Sequence, residues 1–201
     1  MILEVLKYPD PRLREKSEPV TEFGPKLKKL SEDMLETMYA ERGIGLAAPQ
    51  VGEIIQMLVI DCRPKDDKKA RYDIEQMTEL ERKIDQPLVI INPKITKREG
   101  KTTYEEGCLS VPTFFDNVDR STWIRLEYQD LQGNKQVLET DGLLAIVIQH
   151  EMDHLEGTLF IDHLSFLKSN KIKNQIKKNG YPSREIPQED LEKVEVKKNN
   201  K

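Results

Sequence analysis

The stretch GLLAIVIQHEMDHLEG, residues 142–157, constrains this chain more than any other. Its first half is apolar nearly all round, so as a helix it has to be buried rather than laid on a surface. Yet it runs into H-E-x-x-H, and buried titratable side chains need partners. Thr140 or Asp141 is placed to cap its start, and Gly157 to stop it. The rest of the fold must therefore wrap one central helix and give His150, Glu151 and His154 something to do.

With 201 residues the chain is long enough for one core built without staples. GPKLKKLSEDMLETMYAERG spaces Leu27, Leu30, Met34, Leu35 and Met38 at helical intervals, predicting an amphipathic helix over about 26–41. IIQMLVID and PLVIINP read as buried strands, and GKTTYEE and STWIRLEYQD alternate as half-buried ones do. Gly133-Asn134 stands where a hairpin should turn. The fold class that follows is α+β, with short, mostly antiparallel strands around one central metal-binding helix. We expect a catalytic domain over 1–167 and a lysine-rich tail over 168–201, partly helical or disordered. Residues about 63–86 are densely charged and read as a solvated insertion.

A 37% hydrophobic, 34% charged composition suits a soluble globular protein, and no run of apolar residues is long enough to span a membrane. The net charge of −4 gives no basic field, so DNA is not expected as a partner. The opening MILEVLKYPDPRLREK is too briefly apolar for a signal peptide, which points to the cytoplasm. In a reducing compartment Cys62 and Cys108 are not expected to pair.

Histidines four apart on a helix share a face, so His150 and His154 can hold one ion, or simply pack as a pair. Glu151, about 100° round the helix, is better placed to handle a water than to ligate. Two ligands are too few. The extended zinc-protease pattern wants a third histidine at position 160, which is Phe160, and His163 comes three residues too late. The remaining candidate is Cys108 in EEGCLSVP, whose alternative role is a small buried hydrophobe. Gly107 beside it permits close backbone approach, and Pro112 is expected to end any strand pairing. GIGLAAPQVG, residues 43–52, bares its backbone to whatever lies alongside, and Gln50 offers an amide that can polarise a carbonyl. A tight turn with close helix packing is the plainer reading of that segment.

GIGLAAPQVG, EGCLSVP and QHEMDHLEG, in that order, resemble the three signature motifs of the peptide deformylases, and YPDPRLR and DMLETMYAERG are similar to that family too. The resemblance implies hydrolysis of the N-formyl group from the formylmethionine of nascent polypeptides, releasing formate. It implies one divalent ion per chain held by Cys108, His150 and His154: iron(II) first, with zinc, nickel or cobalt as alternatives. It makes Glu151 the general acid and base, and Gln50 and the backbone N–H of Leu109 the oxyanion hole. Ile44, Gly45 and Gly107 would hold the peptide backbone. Leu143, Ile146 and Val147 would line a methionine pocket with Ile44. Glu106 and Arg120 resemble a supporting charge pair, and Asp153 reads as scaffold.

The chain departs from the common pattern in its insertion and at Phe114 and Phe115, which give the rim an apolar character. Its tail, bearing Lys168, Lys171, Lys173, Lys177 and Lys178, is a solvated helix or a contact for ribosomal RNA. Two rival functions stand beside deformylation. A zinc endopeptidase of H-E-x-x-H type would cut peptides internally; a non-catalytic metal-binding or ribosome-associated protein would be indifferent to Glu151→Gln.

Overall fold

The structure is a computed structural model that describes residues 1–63 and 77–181. Its first helix, α1 (Pro25–Ala40), begins on proline, whose fixed φ and missing N–H suit a first helical position. It buries Leu27, Met34 and Met38. Strands β1 (Gly45–Ala47), β2 (Met57–Ile60), β3 (Leu88–Glu99), β6 (Trp123–Gln129) and β7 (Lys135–Asp141) form an antiparallel sheet in the order β1-β2-β3-β6-β7. The hairpin joining β6 to β7 turns through Gly133, whose φ is +82°.

β2 shows why the sheet lies in the middle of the molecule. All four of its residues are buried, because successive side chains point to opposite faces and both faces are covered. Leu58 and Ile60 pack with Leu144 and Ile148 of the central helix α2 (Gly142–Leu155), while Met57 and Val59 pack with Met34 and Met38 of α1. Each such aliphatic side chain contributes about 1.5–3 kcal/mol on burial, so α2 is a structural pillar before it is anything else.

β4 (Thr102–Cys108) and β5 (Val111–Arg120) pair only with each other, as an arm extending from β3 and β6. The arm bends away at Gly100, which takes φ +66°; a Cβ there would stand 2.0 Å from Thr122 Oγ1. Pro112 does not end the pairing as expected. The ladder slips between Gly107, opposite Phe115, and Cys108, opposite Val111, so Pro112 sits in a bulge that needs no ladder N–H from it. The arm packs the buried Val111 and Val118 against Phe160, Ile161 and the Ile172 and Ile176 of α3 (Phe166–Asn179).

The charged segment after β2 is not all solvated. Residues 64–76 lie outside the described residues, but Met77, Glu81 and Gln86 are buried. Glu81 Oε1 accepts from the N–H of Leu144 at 2.8 Å, capping α2 from outside the helix. Asp141 does occupy the N-cap position, but its carboxylate accepts from the Thr78 hydroxyl (2.5 Å) instead of from the helix.

Candidate metal centre and active site

The arm and α2 bring three donors together. Cys108 closes β4, and His150 and His154 stand one turn apart on the face of α2 that the arm covers. Their ligand atoms all lie within 4.8 Å of one another. Cys108 Sγ is 3.3 Å from His154 Nε2, and donors on a tetrahedral ion stand roughly 3.5 Å apart at ordinary bond lengths. One thiolate and two imidazoles are a fitting set for zinc or iron(II), and three ligands leave a coordination position open.

The cluster already favours the thiolate that an ion requires. Burial pushes the Cys108 thiol up, but the charge of His154 and the hydrogen bonds of both histidines outweigh it and hold it at about 5. Burial disfavours the charged form of His150, yet bonding to Cys108 and Glu106 raises it well above the ordinary imidazole range. This thiolate–imidazolium pairing is the state that a divalent cation displaces, releasing the proton. The contrast with Cys62 is plain: buried against the core and unpaired, its thiol is pushed well up, as an inert small hydrophobe's would be.

Glu106 lies behind His150, with Oε2 2.8 Å from Nδ1. Arg120 grips the same carboxylate with Nε (2.6 Å) and Nη2 (2.9 Å). Burial would raise Glu106, but Arg120 and His150 pull it down to about 2. The pairing of Glu106 with Arg120 is thus the one the sequence suggests, and Asp153 joins it through Arg120 Nη1 at 2.6 Å.

Glu151 faces the donors from α2. Burial pushes its carboxyl up to about 7 against the opposing pull of the two histidines. Its Oε2 is buried without a hydrogen-bond partner, the condition of a group kept for a water or a substrate proton. The Gln50 amide is fixed because Oε1 accepts from Ala47 N–H at 2.8 Å, which turns Nε2 toward Ser110 Oγ (3.1 Å) and Cys108 Sγ (3.6 Å).

A cavity of about 510 Å³ opens beside this cluster. Ile44, Gly45, Gln50, Gly107, Leu109, Leu143, Ile146 and Val147 all line it, with Cys108, His150 and Glu151. Leu143 and Val147 also belong to the main core, so each lines the cavity and packs against the sheet at once. The two rim aromatics divide. Phe115 lines the cavity mouth with 61% of its surface exposed, whereas Phe114, next along the strand, turns to the other face and meets Tyr181 edge-on at 6.2 Å. Ser110 and the His163–Asp153 contact at 2.7 Å were not foreseen; a serine beside a cysteine and a lone histidine past a helix carry no sequence signal of their own.

A family profile described as polypeptide deformylase matches residues 2–170. The peptide deformylase of Nitrosococcus oceani is 49% identical over 177 residues, covering 88% of this chain and 95% of its own. Among solved structures, the peptide deformylase of Legionella pneumophila aligns with a TM-score of 0.75 at 39% identity, covering 89% of this chain and 95% of that one. That of Ehrlichia chaffeensis in complex with actinonin aligns with a TM-score of 0.75 at 38% identity, covering 89% and 98%.

Proposed function

The chain belongs to the polypeptide deformylase family, metal-dependent hydrolases that remove the N-formyl group from nascent peptides, and we propose that here the reaction runs at the Cys108–His150–His154 cluster. The observation that carries this is the buried, unpaired Oε2 of Glu151 beside three donors spaced for one ion. When bound, the ion would supply Lewis acidity, lowering the pKa of a water to about 7. We put iron(II) first and zinc, nickel or cobalt after it.

Glu151 takes the proton of the attacking water and passes it to the methionine nitrogen as the formyl C–N bond breaks, so formate leaves with the added oxygen. A carboxyl near neutrality suits both halves of that transfer. Gln50 Nε2 and the Leu109 N–H receive the formyl oxygen as it gains charge. Ile44, Leu143, Ile146 and Val147 take the methionine side chain, while Gly45 and Gly107 leave room for the peptide backbone.

No helix among the described residues is long and apolar enough to cross a membrane. We assign the protein to the cytoplasm, where its substrates emerge. Exposed Lys171, Lys177 and Lys178 on α3 form a candidate ribosome contact. Ile172 and Ile176 bury on the core, so truncating α3 would injure the fold. Reversing those three lysines to glutamate tests the contact cleanly, and unchanged ribosome affinity would end it.

The decisive assay is formate release from a formyl-Met tripeptide by oxygen-free protein, with metal measured in the same sample. Release at one ion per chain, lost in Cys108→Ala and Glu151→Gln, supports the assignment. A fully loaded protein that releases no formate refutes it.

A further inference from the structure

His163 is the one histidine of three left outside this chemistry. It follows the short 3-10 turn Phe160–Asp162, with its side chain 35% exposed. Its Nε2 lies 2.7 Å from Asp153 Oδ2, and that same oxygen accepts from Arg120 Nη1 at 2.6 Å. The opposite edge of the guanidinium holds both oxygens of Glu106, and Glu106 Oε2 meets His150 Nδ1 at 2.8 Å. An unbroken line of hydrogen bonds thus runs from the protein surface to the back of the cluster.

We infer that His163 is a positioning residue for His150, acting through Asp153, Arg120 and Glu106. The inference rests on the reading of His150 as a metal ligand. A ligating imidazole is oriented by what its other nitrogen donates to, and here that is Glu106. Glu106 is in turn only as fixed as the Arg120 fork, a flat group that cannot tilt while both of its edges are held. The inner edge is secure, because Glu106 and Arg120 are almost fully buried.

The outer edge depends on Asp153, whose side chain is 25% exposed and can turn either oxygen toward water. His163 removes that freedom by taking Oδ2 together with Arg120. Without it, slack in Asp153 reaches Arg120, then Glu106, then the tilt of the imidazole. The contrary reading is a surface tie that merely fastens the 3-10 turn to α2. That reading predicts lost stability and no change at the ion.

The test uses full-length protein loaded with cobalt(II), comparing His163→Leu, His163→Gln and Lys173→Ala. Glutamine can still donate to Asp153. Lys173→Ala cuts an ion pair to the neighbouring Asp162 and loosens the same turn without touching the line. The readouts are the visible cobalt bands and the rate at which a chelator extracts the ion. Loss of a partner directly behind a ligand costs about 10–100-fold in affinity, so for one lying further out we expect His163→Leu to release cobalt about 3–10-fold faster, with shifted bands. His163→Gln should stay within about twofold of the parent, and Lys173→Ala should match the parent's bands and rate. Parent-like bands and release in His163→Leu overturn the inference, as does equal acceleration in Lys173→Ala. A parent protein that takes up no cobalt is a separate result: it overturns the metal reading first, and this inference with it.

Discussion

The carboxylate of Glu151 occupies the space where Gly45 would carry a side chain: a Cβ on Gly45 would stand 2.4 Å from Oε1 and 2.9 Å from the carboxyl carbon. The first residue of β1 therefore sets how far this carboxylate reaches into the cavity. Gly45→Ala should push it aside while leaving the three donors in place. Misplacement by about 1 Å costs on the order of 100-fold in rate, so we expect kcat to fall by that order with bound metal unchanged. Steady-state kinetics with metal analysis decides it; a variant within threefold of the parent would show that Glu151 has room to adjust.

Stability in acid should report Glu106. A carboxyl held below its unfolded value adds stability above that value and loses it as pH falls through the folded one. For Glu106 the window runs from 4.5 down to about 2, and the depression corresponds to about 3 kcal/mol. Urea midpoints of chelator-treated protein should drop across this window. Glu106→Gln should be weaker at pH 6, because Arg120 loses a buried partner, and its curve should be flatter in acid. Parallel curves would assign the acid sensitivity to other carboxylates.

Glu81 should matter to the helix but not to the chemistry. It is 1% exposed, and its two oxygens accept from the N–H groups of Leu144 and Thr78 at 2.8 Å each. Glu81→Ala leaves the buried N–H of Leu144 and the half-buried N–H of Thr78 without this partner and removes a negative charge from the start of α2. We expect a loss of about 2 kcal/mol, or a thermal midpoint lower by about 4–8 °C. Activity per folded, metal-loaded molecule should be retained. A midpoint within 1 °C of the parent would mean that water replaces the cap.

Phe115 should select among substrates without altering turnover of the smallest. Its ring covers Gly107, where a Cβ would meet the ring at 2.4 Å, and most of its surface faces solvent at the cavity mouth. Phe115→Ala should raise KM by about 3–10-fold for formyl-Met peptides with a bulky apolar second residue, the worth of about 1 kcal/mol of apolar contact. Formyl-Met-Ala should change little. Equal effects on both peptides would make the ring a structural cover and nothing more.

What the sequence made legible was local or periodic. α1 announces itself by apolar spacing, α2 by an apolar run between a cap and a glycine stop, and the β6–β7 hairpin by its Gly133-Asn134 turn. The cluster was legible because its parts sit in short, dense motifs, and Cys108 could be named once Phe160 stood where a histidine was needed. Features made by distant residues stayed hidden. Glu81 lies in a stretch whose charge says solvent, and only the tertiary approach of α2 turns it into a buried cap. Pro112 says strand end by its missing N–H, but a bulge asks nothing of that N–H. Asp153 and His163 are ten residues apart with a helix terminus between them, a spacing that follows no repeat.

The arm that carries Cys108 is held by one face, with Asn117 and Asp119 exposed on the other. On the held face Val118 packs toward α3, and Arg120, two residues on, meets Asp153 of α2, while Glu106 meets His150. The apolar contact and the two ionic ties therefore act as one clamp, holding the strand that carries Cys108 against the helix that carries both histidines. A change that weakens the apolar half of that clamp should accordingly be felt at the donors as well.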